Sequence, residues 1–294
     1  MKTIRRTLMA AVISATAVSA QFSYADIIVG SDLNSTSGAN GTINAIYSAN
    51  RGTNGGGDQS LQFGDNLMGT YYDDVLVGGL GIDVLFGYEG DDVIVGGTED
   101  FNAFNRDRAF GNQGNDTFIW TPGDGNDFFD GGEDEDVLIM ALIGETRDDN
   151  GKTEGAPFFK VTAPPNVGSQ DFDGIYIDPE SQLPKVDVLA GPGFCEVLDS
   201  TTAGISELGL DHLVRFTLRG AANTFEATVA DNPAVDQNSL DTGLRVAVHL
   251  RNTEFLVCAS RDGSEIEVLD LRQSPPLKVT INDLPSKAYQ LVKP

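Results

Sequence analysis

Aspartate recurs with a period of nine in the first half of the chain. Asp65, Asp74, Asp83 and Asp92 are evenly spaced, and Asp107, Asp116, Asp127 and Asp136 continue the series across two longer gaps. Each stands sixth in a nine-residue unit. The clearest units are GTYYDDVLV from Gly69, GGLGIDVLF from Gly78 and GYEGDDVIV from Gly87, which share Gly at the first position and a large aliphatic at the eighth. Asp73 and Asp91, at the fifth position, are secondary acids of the same register. Repeated carboxylates are hard oxygen ligands. Where repeats stack, like charges cannot all stay ionised unless a cation lies between them. Calcium suits such a row, because it accepts 6–8 oxygens in flexible geometry, whereas magnesium demands a tight octahedron and keeps its waters.

The register runs from residue 60 to 139 as eight units, with about six extra residues after Gly96-Gly97 and Trp120-Thr121 inserted before the seventh. These units follow G-G-x-G-x-D-x-U-x, and the chain resembles the RTX (hemolysin-type) calcium-binding nonapeptide-repeat family there. The resemblance implies an all-β protein with a parallel β-roll. In each unit six residues form a turn and three a strand, and two units make one coil. Position 8 (Leu76, Leu85, Ile94, Phe118, Leu138) turns inward to form the core. Pairing units two apart sets Asp74 against Asp92, Asp92 against Asp116 and Asp116 against Asp136 on one edge. On the other edge Asp65 faces Asp83, Asp83 faces Asp107, and Asp107 faces Asp127. The resemblance implies Ca2+ as the bound ion, with backbone carbonyls of Gly78, Gly79, Gly81, Gly87 and Gly90 completing its shell. Arg108, Ala109 and Asp134 mark weakened units.

Those ligands need elements to hold them. Positions 7 and 9, including Val75, Val77, Val84, Phe86, Val93 and Val95, would form an apolar outer face, and soluble proteins usually cover such a patch. The covering segment is expected from residues 26–50 or from the C-terminal part. Residues 140–156 read as a linker or loop, with ETRDDNGKTEGA polar and Gly-containing. Residues 157–294 read as an antiparallel β-sandwich-like domain, because Val214, Phe216 and Leu218, then Leu244, Val246, Val248 and Leu250, alternate with polar or small residues. Shorter strand signals lie at 158–161, 174–177, 224–229, 254–258, 265–269 and 277–281. The only helical signal is near 202–210. Cys195 and Cys258 are expected to form a disulfide.

Charge and composition limit the partners. The formal net charge of the 294 residues is −25, and residues 26–139 hold 21 Asp/Glu against 3 Lys/Arg. Such a surface repels phosphate backbones, so no nucleic-acid partner is expected. Residues 1–25 have the basic start (Lys2, Arg5, Arg6), apolar middle and small-residue end of a signal peptide, and residues 26–59 are expected to cap the roll. No later stretch reaches the length of a membrane span. The expected location is therefore extracytoplasmic: secreted, cell-surface or periplasmic. The sequence holds neither H-E-x-x-H nor G-x-S-x-G, and no enzyme is expected. These features together point to an exported calcium-binding protein. The alternatives are an adhesion module meeting a glycan or protein through its C-terminal domain, and a polysaccharide-active enzyme.

Overall fold

The computed structural model describes residues 27–29, 66–79, 82–97, 106–122, 124–145, 161–162, 171–172, 175–202, 204–218 and 245–293. The leader, Asp65, Gly81 and the strand signal at 224–229 lie outside the described residues.

Strands dominate. The first set comprises β1 (Ile27–Val29), β2 (Asn66–Met68), β3 (Val75–Gly79), β4 (Val84–Glu89), β5 (Val93–Gly97), β6 (Arg108–Gln113), β7 (Thr117–Trp120), β8 (Phe128–Glu133) and β9 (Val137–Met140). After β10 (Leu142–Glu145) come the short β11 (Val161–Thr162), β12 (Asp171–Phe172), β13 (Ile175–Tyr176) and β14 (Val186–Asp187). The last six are β15 (Gly193–Asp199), β16 (His212–Leu218), β17 (Arg245–Arg251), β18 (Phe255–Ala259), β19 (Ile266–Asp270) and β20 (Leu277–Val279), and a helix, Ser286–Val292, ends the chain.

The nine-residue period produces a parallel β-roll. A period of nine sends successive units to opposite sides, so strands alternate between two sheets. One sheet orders β1-β3-β5-β7-β9, the other β2-β4-β6-β8, and every pairing within them is parallel. The eighth positions stack in register. Leu76, Ile94, Phe118 and Leu138 form one row, and Leu67, Leu85, Ala109 and Phe129 the other. All eight are fully buried. Each large side chain among them contributes about 1.5–3 kcal/mol of burial.

Antiparallel strands follow, as the alternating patterns predicted, and they are laid on the same two sheets. β17 pairs parallel with β8 and β18 with β9, so these two strands form a further coil that has no glycine turn. β16 and β15 then extend one sheet, and β19 and β20 the other, all antiparallel. The rows continue without a break through Leu250 and Leu256. Cys195 of β15 is disulfide-bonded to Cys258 of β18, with Cα atoms 6.2 Å apart, tying the two sheets across their shared core.

The outward-facing apolar residues divide between two surfaces, because the units alternate between sheets. Val75, Val77, Val93 and Val95 are buried under Ile143, Ile175, Ile177, Leu183 and Val188 and the helix residues Ala288, Leu291 and Val292. The covering layer thus comes from the C-terminal part. Val84 and Phe86 lie on the opposite sheet and are half-buried. There Phe86 stacks on Phe110 at 5.0 Å, and Phe110 meets Phe128 at 5.7 Å. The helical signal near 202–210 yields one 3-10 turn, Ser206–Leu208. The C-terminal helix was not anticipated. Its signal is short: Pro285 at the start, then Ala288, Leu291 and Val292 on one face.

Candidate metal centre

The turns bring the sixth-position aspartates into two columns, one along each edge of the roll. On the first edge Asp74, Asp92, Asp116 and Asp136 follow one another. Each backbone N–H donates to Oδ1 of the next aspartate: Asp74 to Asp92 at 2.7 Å, Asp92 to Asp116 at 2.8 Å, and Asp116 to Asp136 at 2.8 Å. On the second edge the Asp83 N–H donates to Asp107 at 2.7 Å and that of Asp107 to Asp127 at 2.9 Å. All seven are fully buried. One oxygen of each acceptor carboxylate therefore serves the protein scaffold. The Oδ2 atoms of Asp92, Asp116, Asp127 and Asp136 are buried with no hydrogen-bond partner.

Glycine at the first position makes this geometry fit. A Cβ at Gly87 would overlap the Asp92 carboxylate, and one at Gly111 would overlap both the Asp116 carboxylate and the Gly131 carbonyl. At Gly78 the intruding atom would lie 2.6 Å from Asp83 Oδ2. Only hydrogen leaves room for the stacked carbonyls beside each carboxylate. In the last three roll turns of the first edge the second and fourth positions have positive φ. Tyr88 (83°) precedes Gly90 (111°), Asn112 (83°) precedes Gly114 (120°), and Gly132 (114°) precedes Asp134 (83°). Asp134 thus takes the backbone conformation of the glycine it replaces, and β8, its turn and β9 remain in register. Gly79 ends β3.

The fifth positions form a more exposed ladder outside the first column. Asp91 N–H donates to Asp73 at 3.1 Å, Asn115 N–H to Asp91 at 2.8 Å, and Glu135 N–H to Asn115 at 3.2 Å. Protein cations hold both ends: Lys287 lies 3.2 Å from Asp73, and Arg272 lies 2.7 Å from Glu135. Arg272 also chelates Asp270 and stacks over Phe255.

Desolvation dominates the titration of the buried column. Burial pushes Asp92 and Asp136 up to about 9 and Asp116 up to about 7, against hydrogen bonds from the backbone that favour the carboxylate. Burial also raises Asp127 well above the ordinary range, with Asp124 and Asp107 adding to the effect. Without a cation Asp92 and Asp136 retain protons at neutrality, and a bound cation would favour the ionised column. Hard, buried oxygens lacking partners, with carbonyls stacked beside them, match the donor set calcium takes.

Two acids escaped the sequence reading. Glu254 accepts the Asp136 N–H at 2.8 Å and so extends the first column by one coil from 118 residues downstream. Its signal is faint, since the turn Asn252-Thr253-Glu254 is three residues shorter than the turn from Gly131 to Asp136. Asp124 is fully buried beside Asp107 and Asp127, with carboxylate oxygens of the three within 4.8 Å of one another. It stands at the third position of its unit, where the register asks for no acid.

These features define a class: a parallel β-roll whose turns stack buried carboxylates into cation-binding columns. Four copies of the RTX calcium-binding nonapeptide repeat match the chain, at residues 68–100 and 123–139, so the roll is built from repeats of this kind. Residues 106–122, outside the match, carry β6 and β7 in the same register. Neither a curated protein nor a solved structure matches the chain.

Proposed function

We propose that the protein is an exported calcium binder whose roll folds around Ca2+ held between stacked turns. The observation that carries this reading is the row of buried, unpartnered Oδ2 atoms of Asp92, Asp116 and Asp136, repeated coil by coil. Asp74, Asp92, Asp116 and Asp136 would hold ions on the first edge, and Asp65, Asp83, Asp107 and Asp127 on the second. Asp73 and Asp91 lie outside the buried column and act as outer acids. Carbonyls of Gly78, Gly79, Gly81, Gly87 and Gly90 complete the shells. The ion neutralises acids that burial otherwise keeps protonated, so its binding energy becomes folding energy.

The C-terminal part serves as the roll's cap. It continues both sheets, supplies Glu254 to the last turn and covers one outer face. No catalytic role is assigned to it. The disulfide fits an oxidising compartment, and the N-terminal signal pattern fits export. No described helix is long and apolar enough to cross a membrane. Extracellular calcium modules bind at roughly 10⁻⁴–10⁻³ M, which would leave the chain unfolded inside the cell and fold it outside.

Calorimetric titration of the metal-free chain that begins at Asp26 tests the reading. Uptake of several calcium ions, with magnesium far weaker, is the expected result; equal uptake of both would refute it. Mass spectrometry of the exported protein checks cleavage after Ala25.

A further inference from the structure

The turn from Pro122 to Asp127 differs from the others. Elsewhere the third residue of a described turn is exposed, as with Glu89, Gln113 and Glu133. Here the third residue is Asp124, and it is fully buried. The turn is anchored on three sides. Asp124 N–H donates to Thr121 O at 3.1 Å, the Trp120 indole Nε1 donates to Gly125 O at 3.2 Å, and Asn126 Oδ1 accepts the Ala247 N–H at 2.9 Å. These contacts hold the carboxylate of Asp124 against those of Asp107 and Asp127, all within 4.8 Å. Asp127 spends Oδ1 on the Asp107 N–H, and its Oδ2, fully buried, has no partner.

We propose that Asp124 joins Asp107 and Asp127 of the second column in a three-carboxylate calcium site, and that this site is the tightest on the roll. The proposal rests on the calcium reading above and goes beyond it by adding a ligand outside the repeat register. Affinity of oxygen-ligand sites rises with ligand charge and with rigidity. Three carboxylates on an anchored turn supply both. The site fills first as calcium rises.

Trp120 provides a local reporter. It is the only tryptophan in the chain, is fully buried, and holds the backbone of this same turn. Terbium(III), a probe for oxygen-ligand calcium sites, luminesces when an excited indole lies close by. The mature chain is titrated with terbium while the indole alone is excited, at the red edge of its band. Emission is expected to rise with the first equivalent. Asp124→Asn should weaken that apparent affinity about tenfold, whereas Glu207→Gln, on the exposed 3-10 turn of the antiparallel part, should leave it within about twofold. Emission that appears only after other sites have filled overturns the proposal on the wild-type chain alone. An Asp124→Asn titration that superimposes on wild type also overturns it, even where calcium still drives folding. A wild-type chain that takes up neither ion refutes the calcium reading itself.

Discussion

The roll and the antiparallel strands share two sheets and one core, yet they are held together by different means. In the roll each turn buries a carboxylate, because the position-1 glycine leaves a slot that Oδ2 fills. In the antiparallel part the turns need no such group. Cys195–Cys258 binds the sheets covalently, Arg272 pairs with the buried Asp270, and Lys278 pairs with the exposed Glu265. The strands therefore impose no requirement for a cation. The requirement arises in the turns and ends where Glu254 replaces aspartate in a shortened turn.

Acidity is the strongest lever on that contrast. Asp92, Asp116 and Asp136 have folded values of about 9, 7 and 9 against an ordinary 3.8. A raised carboxyl value stabilises the metal-free fold fully below about 3.8, and that stability is lost as pH rises through 7 towards 9. In chelator, far-UV circular dichroism should show the roll gaining strand signal as pH falls from about 9; with saturating calcium the dependence should be nearly flat. Equal pH profiles with and without calcium would mean the column is not the seat of the ion requirement.

The covalent bond comes next. Replacing both Cys195 and Cys258 by Ser removes a link across 63 residues, at a cost of about 4 kcal/mol in the chain-entropy account. Urea unfolding in calcium should show that loss, and the number of ions bound should stay the same. Gly87→Ala strikes the roll instead. Its Cβ overlaps the Asp92 carboxylate, and overpacking of this kind costs about 3 kcal/mol; calorimetry should show fewer ions bound as well. The opposite pattern, with ion number falling in the cysteine variant and holding in Gly87→Ala, would reverse the comparison.

Glu254→Ala tests the boundary. It leaves the buried Asp136 N–H without its acceptor, a loss of about 2 kcal/mol. Hydrogen exchange should place the lost protection at the last coil, around β9 and β18. The smallest effect is a gain. Tyr88 holds φ at 83°, so Tyr88→Gly should stabilise its turn by about 1 kcal/mol, visible as a raised midpoint in calcium.

Much of the roll was legible because its period is strict. Asp at position 6 and an aliphatic at position 8 fix both the turn and the inward row, and the pairs 74–92, 92–116 and 116–136 follow from counting units. Asp107 keeps its partners across the six-residue insertion, because β6 stays in register with β4 and β8. What the sequence hid lies where contacts are not periodic. Glu254 joins the column through parallel pairing of β18 with β9, across 118 residues. Asp124 was one acid among many until its burial beside Asp107 and Asp127 singled it out. The outer face of valines was visible, but alternation between sheets sends Val84 and Phe86 to the other surface.

The central claim is that ions held in the turns fold the roll. The direct measurement is far-UV circular dichroism of the metal-free chain from Asp26 onward at neutral pH, with calcium titrated in and magnesium as the control. A cooperative gain of β signal with calcium, not reproduced by magnesium, is the predicted result. A chain already fully folded in chelator, or one that responds equally to both ions, would contradict it.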